Sequence, residues 1–303
     1  MRLFASVATA MLLSACIPQV DTADTSGRAP APAPTITPQV AAPPPAVAIP
    51  VPAEFTALEG EFTQGGFVRG YAPVGTVALT IDDAEVALGV DRYFFAGFNR
   101  DAESGATLVA RLEDGRTVRE TISVSPREWR LERVNLARPT GSASEAFMRR
   151  RAPELARINA ARDVRSDTDG WRQNFIWSVE GRISGMFGSQ RIYRGVPGSY
   201  HSGIDIAPGA GVAFVSPADG VVVLAAPEEF SLEGKLLIVD HGNGLNSAFL
   251  HASELAVREG ETVRQGQYLG RIGATGSATG PHLHWSVKWG AARLDPILLT
   301  GPM

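Results

Sequence analysis

The sequence predicts a mainly β fold: a β-rich C-terminal domain, preceded by a small β-sandwich-like domain and a connector helix. Three observations lead there. Short runs with alternating or continuous apolar character, broken by Gly, Asn and Asp turns, fill residues 54–135 and again residues 171–303, as strands and hairpins do. Between them, residues 144–163 carry helical spacing. All five histidines lie in the C-terminal part, so the groups able to do chemistry are concentrated there.

Residues 1–16, MRLFASVATAMLLSAC, read as a targeting segment. One basic residue precedes an apolar run that is too short to cross a bilayer. Small residues then lead to Cys16, the only cysteine in the chain. The segment resembles a bacterial lipoprotein signal peptide, which implies cleavage before a lipidated Cys16. Ile17, where the inner-membrane signal would have aspartate, implies an outer-membrane lipoprotein facing the periplasm. A plain secretory signal is the alternative. With no second cysteine to form a disulfide, the fold rests on its core.

Residues 17–53 are rich in Pro and Ala. Proline removes backbone donors and favours extended polyproline II, so this linker forms a semi-rigid stalk with a reach on the order of 100 Å. In the 54–135 domain, TVALTI, EVALGV and RYFFAGF read as strands, with a turn at Asp82-Asp83 and a hairpin turn at Asp114-Gly115. No polar cluster here suggests catalysis; a spacer, a wall-binding module and a lid all fit. Within the 136–170 connector, Leu155 and Ile158 share a helical face, Pro153 suits a first turn, and five arginines make a solvated basic helix.

The composition is that of a globular protein, 44% apolar and 20% charged, with a formal net charge of −4. Nucleic acid is therefore excluded as the main partner, since phosphate binding calls for a basic stripe.

The histidines fall into a pattern. In GPHLHWSVKWG, His282 and His284 are two apart, so on a strand both face one site while Leu283 faces away. HSGID offers His201 and Asp205 at a spacing that suits one face. Two histidines and a carboxylate form a plausible three-ligand zinc set that leaves a position for water, as catalytic sites do. FLHAS contributes His251, and His241 in VDHGNG reads as a structural residue at a hairpin turn. GATGSATG lacks the lysine of a phosphate loop and reads as turns that border a groove. No HExxH occurs.

Together, ISGMFGSQR, HSGIDIAPGAGVAFVSPADGVVV, VDHGNGLNSAFLHAS, VREGETVRQGQYLGRIGATGSATGPHLHWSV and the trailing LDP make residues 180–297 resemble the lysostaphin/LytM-type zinc endopeptidases of bacterial cell walls. The resemblance implies an antiparallel β-sheet zinc peptidase domain with Zn2+ held by His201, Asp205 and His284, and with His251 and His282 as the catalytic histidines. Phe249 stands where such proteins often carry tyrosine, so no catalytic tyrosine is assigned. The implied substrate is peptidoglycan, cut at its D-alanyl–diaminopimelate cross-links. Partners beyond it would be the membrane, through the lipid anchor, and a cell-wall amidase or division protein. The rival reading is a non-catalytic relative that binds the wall and activates an amidase.

Overall fold

The computed structural model describes residues 53–137 and 144–303. The expected signal segment 1–16, Cys16 and the expected linker as far as residue 52 lie outside the described residues. Residues 51–303 form one compact unit.

The chain begins with β1 (Thr56–Glu61), β2 (Phe67–Tyr71), β3 (Thr76–Ile81), β4 (Ala84–Glu85), β5 (Tyr93–Gly97), β6 (Gly105–Leu112), β7 (Thr117–Ser123) and β8 (Leu131–Val134). Two antiparallel sheets result, ordered β1-β2-β5 and β4-β3-β6-β7. Alternation along β6 buries Ala106, Leu108, Ala110 and Leu112, the first three in a core shared with Phe67, Phe94 and Phe95. Both expected turns form. Asp82 and Asp83 take positive φ of 44° and 68°, and Gly115 takes 85°. EVALGV is less regular than its pattern suggests, since β4 ends at Glu85.

Next comes helix α1 (Glu145–Asp163), capped by Ser144, whose hydroxyl accepts from the Phe147 amide. Pro153 lies inside the helix rather than in its first turn. The expectation of a solvated helix is corrected. Ile158 and Ala161 pack on Leu224, Phe230, Leu236 and Ile238 of the sheet below. Arg151 forms two hydrogen bonds to Glu233, and Arg157 pairs with Glu228. Two of the five arginines thus meet acids from the β14–β15 hairpin, which the sequence pattern of the helix alone does not reveal.

The C-terminal part holds β9 (Ile183–Gly185), β10 (Gln190–Tyr193), β11 (Val196–Tyr200), β12 (Ile204–Ile206), β13 (Ala213–Val215), β14 (Gly220–Phe230), β15 (Gly234–Asp240), β16 (Leu245–Leu255), β17 (Thr262–Val263), β18 (Tyr268–Ile272), β19 (Leu283–Trp289), β20 (Ala292–Leu294) and α2 (Pro296–Thr300). A ten-stranded antiparallel sheet runs β17-β14-β15-β16-β19-β12-β9, with β18 joining β13 to β16 and β20 beside β19. One of its faces packs Phe214, Phe249 and Trp285 into the core. Strand β8 crosses from the first part to pair in parallel with β10, and β11 pairs on the other side of β10. No helix among the described residues is long and apolar enough to cross a membrane.

Candidate metal and catalytic site

The middle of the large sheet carries the site. Asp205 stands at the centre of β12, directly opposite His284 on β19, and His284 is opposite Leu250 on β16. Ile204 and Ile206 on one strand, and Leu283 and Trp285 on the other, alternate with these polar residues and are fully buried. That alternation drives Asp205 and His284 out on one face together. His201 follows β11 in a short loop. Gly185 on β9 completes the enclosure: a Cβ there would come within 2.3 Å of Asp205 Oδ2, so only glycine lets the strand approach this closely.

His201 Nε2 and His284 Nδ1 lie 3.0 and 2.8 Å from Asp205 Oδ1, and 3.0 Å from each other. His201 Nδ1 is 3.1 Å from the Met186 carbonyl. A proton on that nitrogen is donated to the carbonyl, which leaves Nε2 with its lone pair aimed at Asp205 and His284. Three electron-rich atoms therefore converge. This is the arrangement a cation would complete, and a triangle of about 3 Å suits donors bound at roughly 2.0–2.1 Å around a tetrahedral zinc. The residues present fit a zinc ion.

Electrostatics agree. Burial pushes the Asp205 carboxyl upward, but the His201 and His284 rings beside it, wherever they carry a proton, outweigh burial and hold the group well below the usual carboxylate range. Burial likewise opposes protonation of His201, yet Asp205 beside it raises the pKa. His284, more deeply buried, is lowered.

The other two histidines adjoin this triangle. His282 lies just before β19, with Nε2 3.6 Å from Asp205 Oδ1. The His251 ring is centred 4.9 Å from that of His282 and 6.3 Å from that of His284. In each, Nδ1 faces a backbone carbonyl, Gly280 for His282 at 2.8 Å and Thr275 for His251 at 2.9 Å. Donation there leaves both Nε2 atoms bare in the neutral rings. Burial pushes the pKa of His251 down. His251 also has a positive φ of 66° within β16, beside a register shift in the pairing with β18. Left-handed backbone at a buried non-glycine residue is strained, and here it re-aims the imidazole relative to its strand neighbours.

Thus His201, Asp205, His251, His282 and His284 come together, and His241 does not join them. His241 is fully buried, packed on Phe175, with Nδ1 2.8 Å from the Asp219 carbonyl and Nε2 2.9 Å from Ser247 Oγ. Sequence reasoning did not find Thr275, Gly280 and Met186, whose contribution is a carbonyl oxygen and so leaves no side-chain signal. It also missed the groove wall built by β8. A groove of about 720 Å³ leads to His201 and Asp205, and Arg130 and Glu132 line it together with Arg191, Tyr193 and Tyr200.

Residues 199–296 match the profile of Peptidase family M23. Among curated proteins, similarity is found to the peptidoglycan DD-endopeptidase ShyA of Vibrio cholerae, 36% identical over 110 residues, covering 35% of this chain and 24% of that one. The murein hydrolase activator NlpD of Escherichia coli is 31% identical over 127 residues, covering 42% and 30%. The match thus spans under a third of either relative. A solved structure from Pseudomonas aeruginosa, described as a candidate M23 peptidase, aligns with a TM-score of 0.61 and 27% identity, over 80% of this chain and 96% of its own. That likeness extends beyond the segment matched by the family profile.

Proposed function

We propose, on the premise that residues 199–296 are a Peptidase family M23 domain, that the protein is a zinc-dependent endopeptidase that hydrolyses the peptide cross-links of peptidoglycan. The observation that carries this reading is the convergence of His201, Asp205 and His284 beside two further histidines whose Nδ1 atoms are both tied to backbone carbonyls. His201, Asp205 and His284 would hold the metal. Zinc bound there supplies a Lewis acid for a substrate carbonyl and brings the pKa of its water to about 7.

The remaining steps belong to the chain. His282 Nε2, the nearer of the two to Asp205, accepts the proton of the attacking water and returns it to the leaving amine. His251 stabilises the oxyanion as an imidazolium; burial opposes that charge, and the developing negative charge offsets the opposition. The groove lined by Arg130, Glu132, Arg191, Tyr193 and Tyr200 receives the peptide. The bond assigned is D-alanyl–diaminopimelate. The Cys16 lipid anchor and the 17–53 stalk suit an outer-membrane lipoprotein facing the periplasm. Incorporation of labelled fatty acid into the wild type, and none into Cys16→Ser, is the expected result for that placement.

The test is digestion of diaminopimelate-type sacculi by the zinc-loaded protein, read by mass spectrometry. Cross-linked dimers fall to monomers with the wild type and persist with His284→Ala. The similarity to an activator supports one second reading, a protein that binds the wall and stimulates an amidase. Sacculi left intact by the wild type, together with faster release of peptides by an added amidase, would favour that reading.

A further inference from the structure

A second cavity, of about 250 Å³, lies between α1 and the sheet. His284 lines one part of it, and Arg162, Lys288 and Arg293 line it as well. Arg162 comes from the last turn of α1. Lys288 on β19 is paired directly with Arg293 on β20, so both side chains leave the same face of the sheet. Among the described residues, none of the three forms an ion pair, and Arg162 Nε is buried without a hydrogen-bond partner. The Arg293 guanidinium lies 6.0 Å from the centre of the Tyr200 ring. Glu233, the acid that lines the cavity, is already engaged by Arg151 through hydrogen bonds of 2.5 and 2.6 Å. Burial and the neighbouring Arg293 both disfavour the charge on Arg162. Burial, Arg162 and Arg293 do the same to Lys288. Glu233 offsets part of this at Arg162, as Asp163 does at Lys288, yet neither acid is ion-paired to any of the three cations, which share a half-buried space.

The cavity is not isolated from the candidate metal site. His284, Ser286 and Lys288 alternate along β19 and face the same way. Four residues of strand place Lys288 about 13 Å from His284. An extended peptide lying along this row covers that distance in three to four residues. We infer that Arg162, Lys288 and Arg293 form a carboxylate-binding subsite for the peptide whose bond is cut at the His201–Asp205–His284 centre, an inference that rests on the function proposed above. The connector helix then contributes a recognition residue. The shared chemistry is a carboxylate, and its source is either the stem peptide or a free anion. Continuity with the metal site favours the peptide, since a free anion would need no such neighbour.

Calorimetric titration of the lipid-free chain, residues 17–303, tests this. The probes are a soluble peptidoglycan stem tetrapeptide with its carboxylates free, the same peptide with them amidated, and inorganic phosphate. The wild type binds the acid about tenfold or more tightly than the amide, the scale of one charge-assisted hydrogen bond. Arg162→Gln and Lys288→Met erase that preference, and Arg162→Lys and Lys288→Arg restore most of it. Equal binding of acid and amide by the wild type overturns the inference, as does a preference that survives both neutral variants. Phosphate that binds as tightly as the acid and displaces it shows a free-anion site and overturns the peptide assignment. The tetrapeptide contains no cross-link, so binding reads the subsite independently of hydrolysis. Acid preference without cleavage of sacculi would sink the endopeptidase reading alone.

Discussion

His241 and the four histidines around Asp205 all lie on or beside strands of the C-terminal part, yet their surroundings differ in a single respect. Both nitrogens of His241 find protein partners, the Asp219 carbonyl and Ser247 Oγ, inside a fully buried, aromatic-lined space. His201, His251 and His282 each commit Nδ1 to a backbone carbonyl, and the Nε2 atoms of His201 and His282 lie 3.0 and 3.6 Å from Asp205 Oδ1. A histidine whose two nitrogens are both tied into the surrounding fold supports it, whereas one with only Nδ1 held by the backbone keeps Nε2 for the cluster of ionisable groups. Burial alone does not separate the two classes, because His251 is also buried.

Perturbing each class should therefore give opposite phenotypes. The largest effect is expected from Asp205→Ala, which removes the atom that His201 and His284 both approach. Bound zinc and hydrolysis are lost together, as measured by elemental analysis and release of muropeptides. His282→Ala is expected to lower kcat by about 10²–10⁴-fold while zinc stays bound, since a proton-transfer group of that value is removed without a ligand. Gly185→Ala sharpens the comparison from outside the histidines. Its Cβ would press on Asp205 Oδ2, and zinc affinity should fall by about 10–100-fold, the scale of a disturbed supporting contact. Competition with a metal chelator measures that change.

His241→Ala is expected to leave zinc stoichiometry intact and to cost stability, about 1–3 kcal/mol for the unpaired groups left behind, read from urea unfolding. Burial pushes the His241 pKa down to about 4. The unfolded chain therefore binds this proton first, and the stability contributed by neutral His241 is complete above about pH 6.5. It is lost as pH falls toward 4, by about 3 kcal/mol in all. Acid unfolding of His241→Ala should show that much less pH dependence. An unchanged slope would contradict the assignment of His241 to the fold.

Much of this site is legible in the sequence, for a physical reason. Strand periodicity is strict, so HLH flanked by apolar residues fixes which side chains share a face, and Asp205 between Ile204 and Ile206 does the same. The Asp82-Asp83 and Asp114-Gly115 turns are legible because their backbone angles suit few residue types. Other features depend on partners distant in sequence. Nothing within α1 announces that Arg151 will meet Glu233, 82 residues on. The parallel pairing of β8 with β10 is invisible for the same reason, as are the carbonyls of Thr275 and Gly280 that orient the two catalytic candidates.

The most direct measurement takes zinc content and dimer cleavage from the same preparations of wild type, His284→Ala and His282→Ala, incubated with diaminopimelate-type sacculi. The account predicts one zinc per chain and cleavage for the wild type, neither for His284→Ala, and zinc without cleavage for His282→Ala. Zinc lost from His282→Ala, or turnover retained by it, would contradict the division of these histidines into ligands and proton carriers.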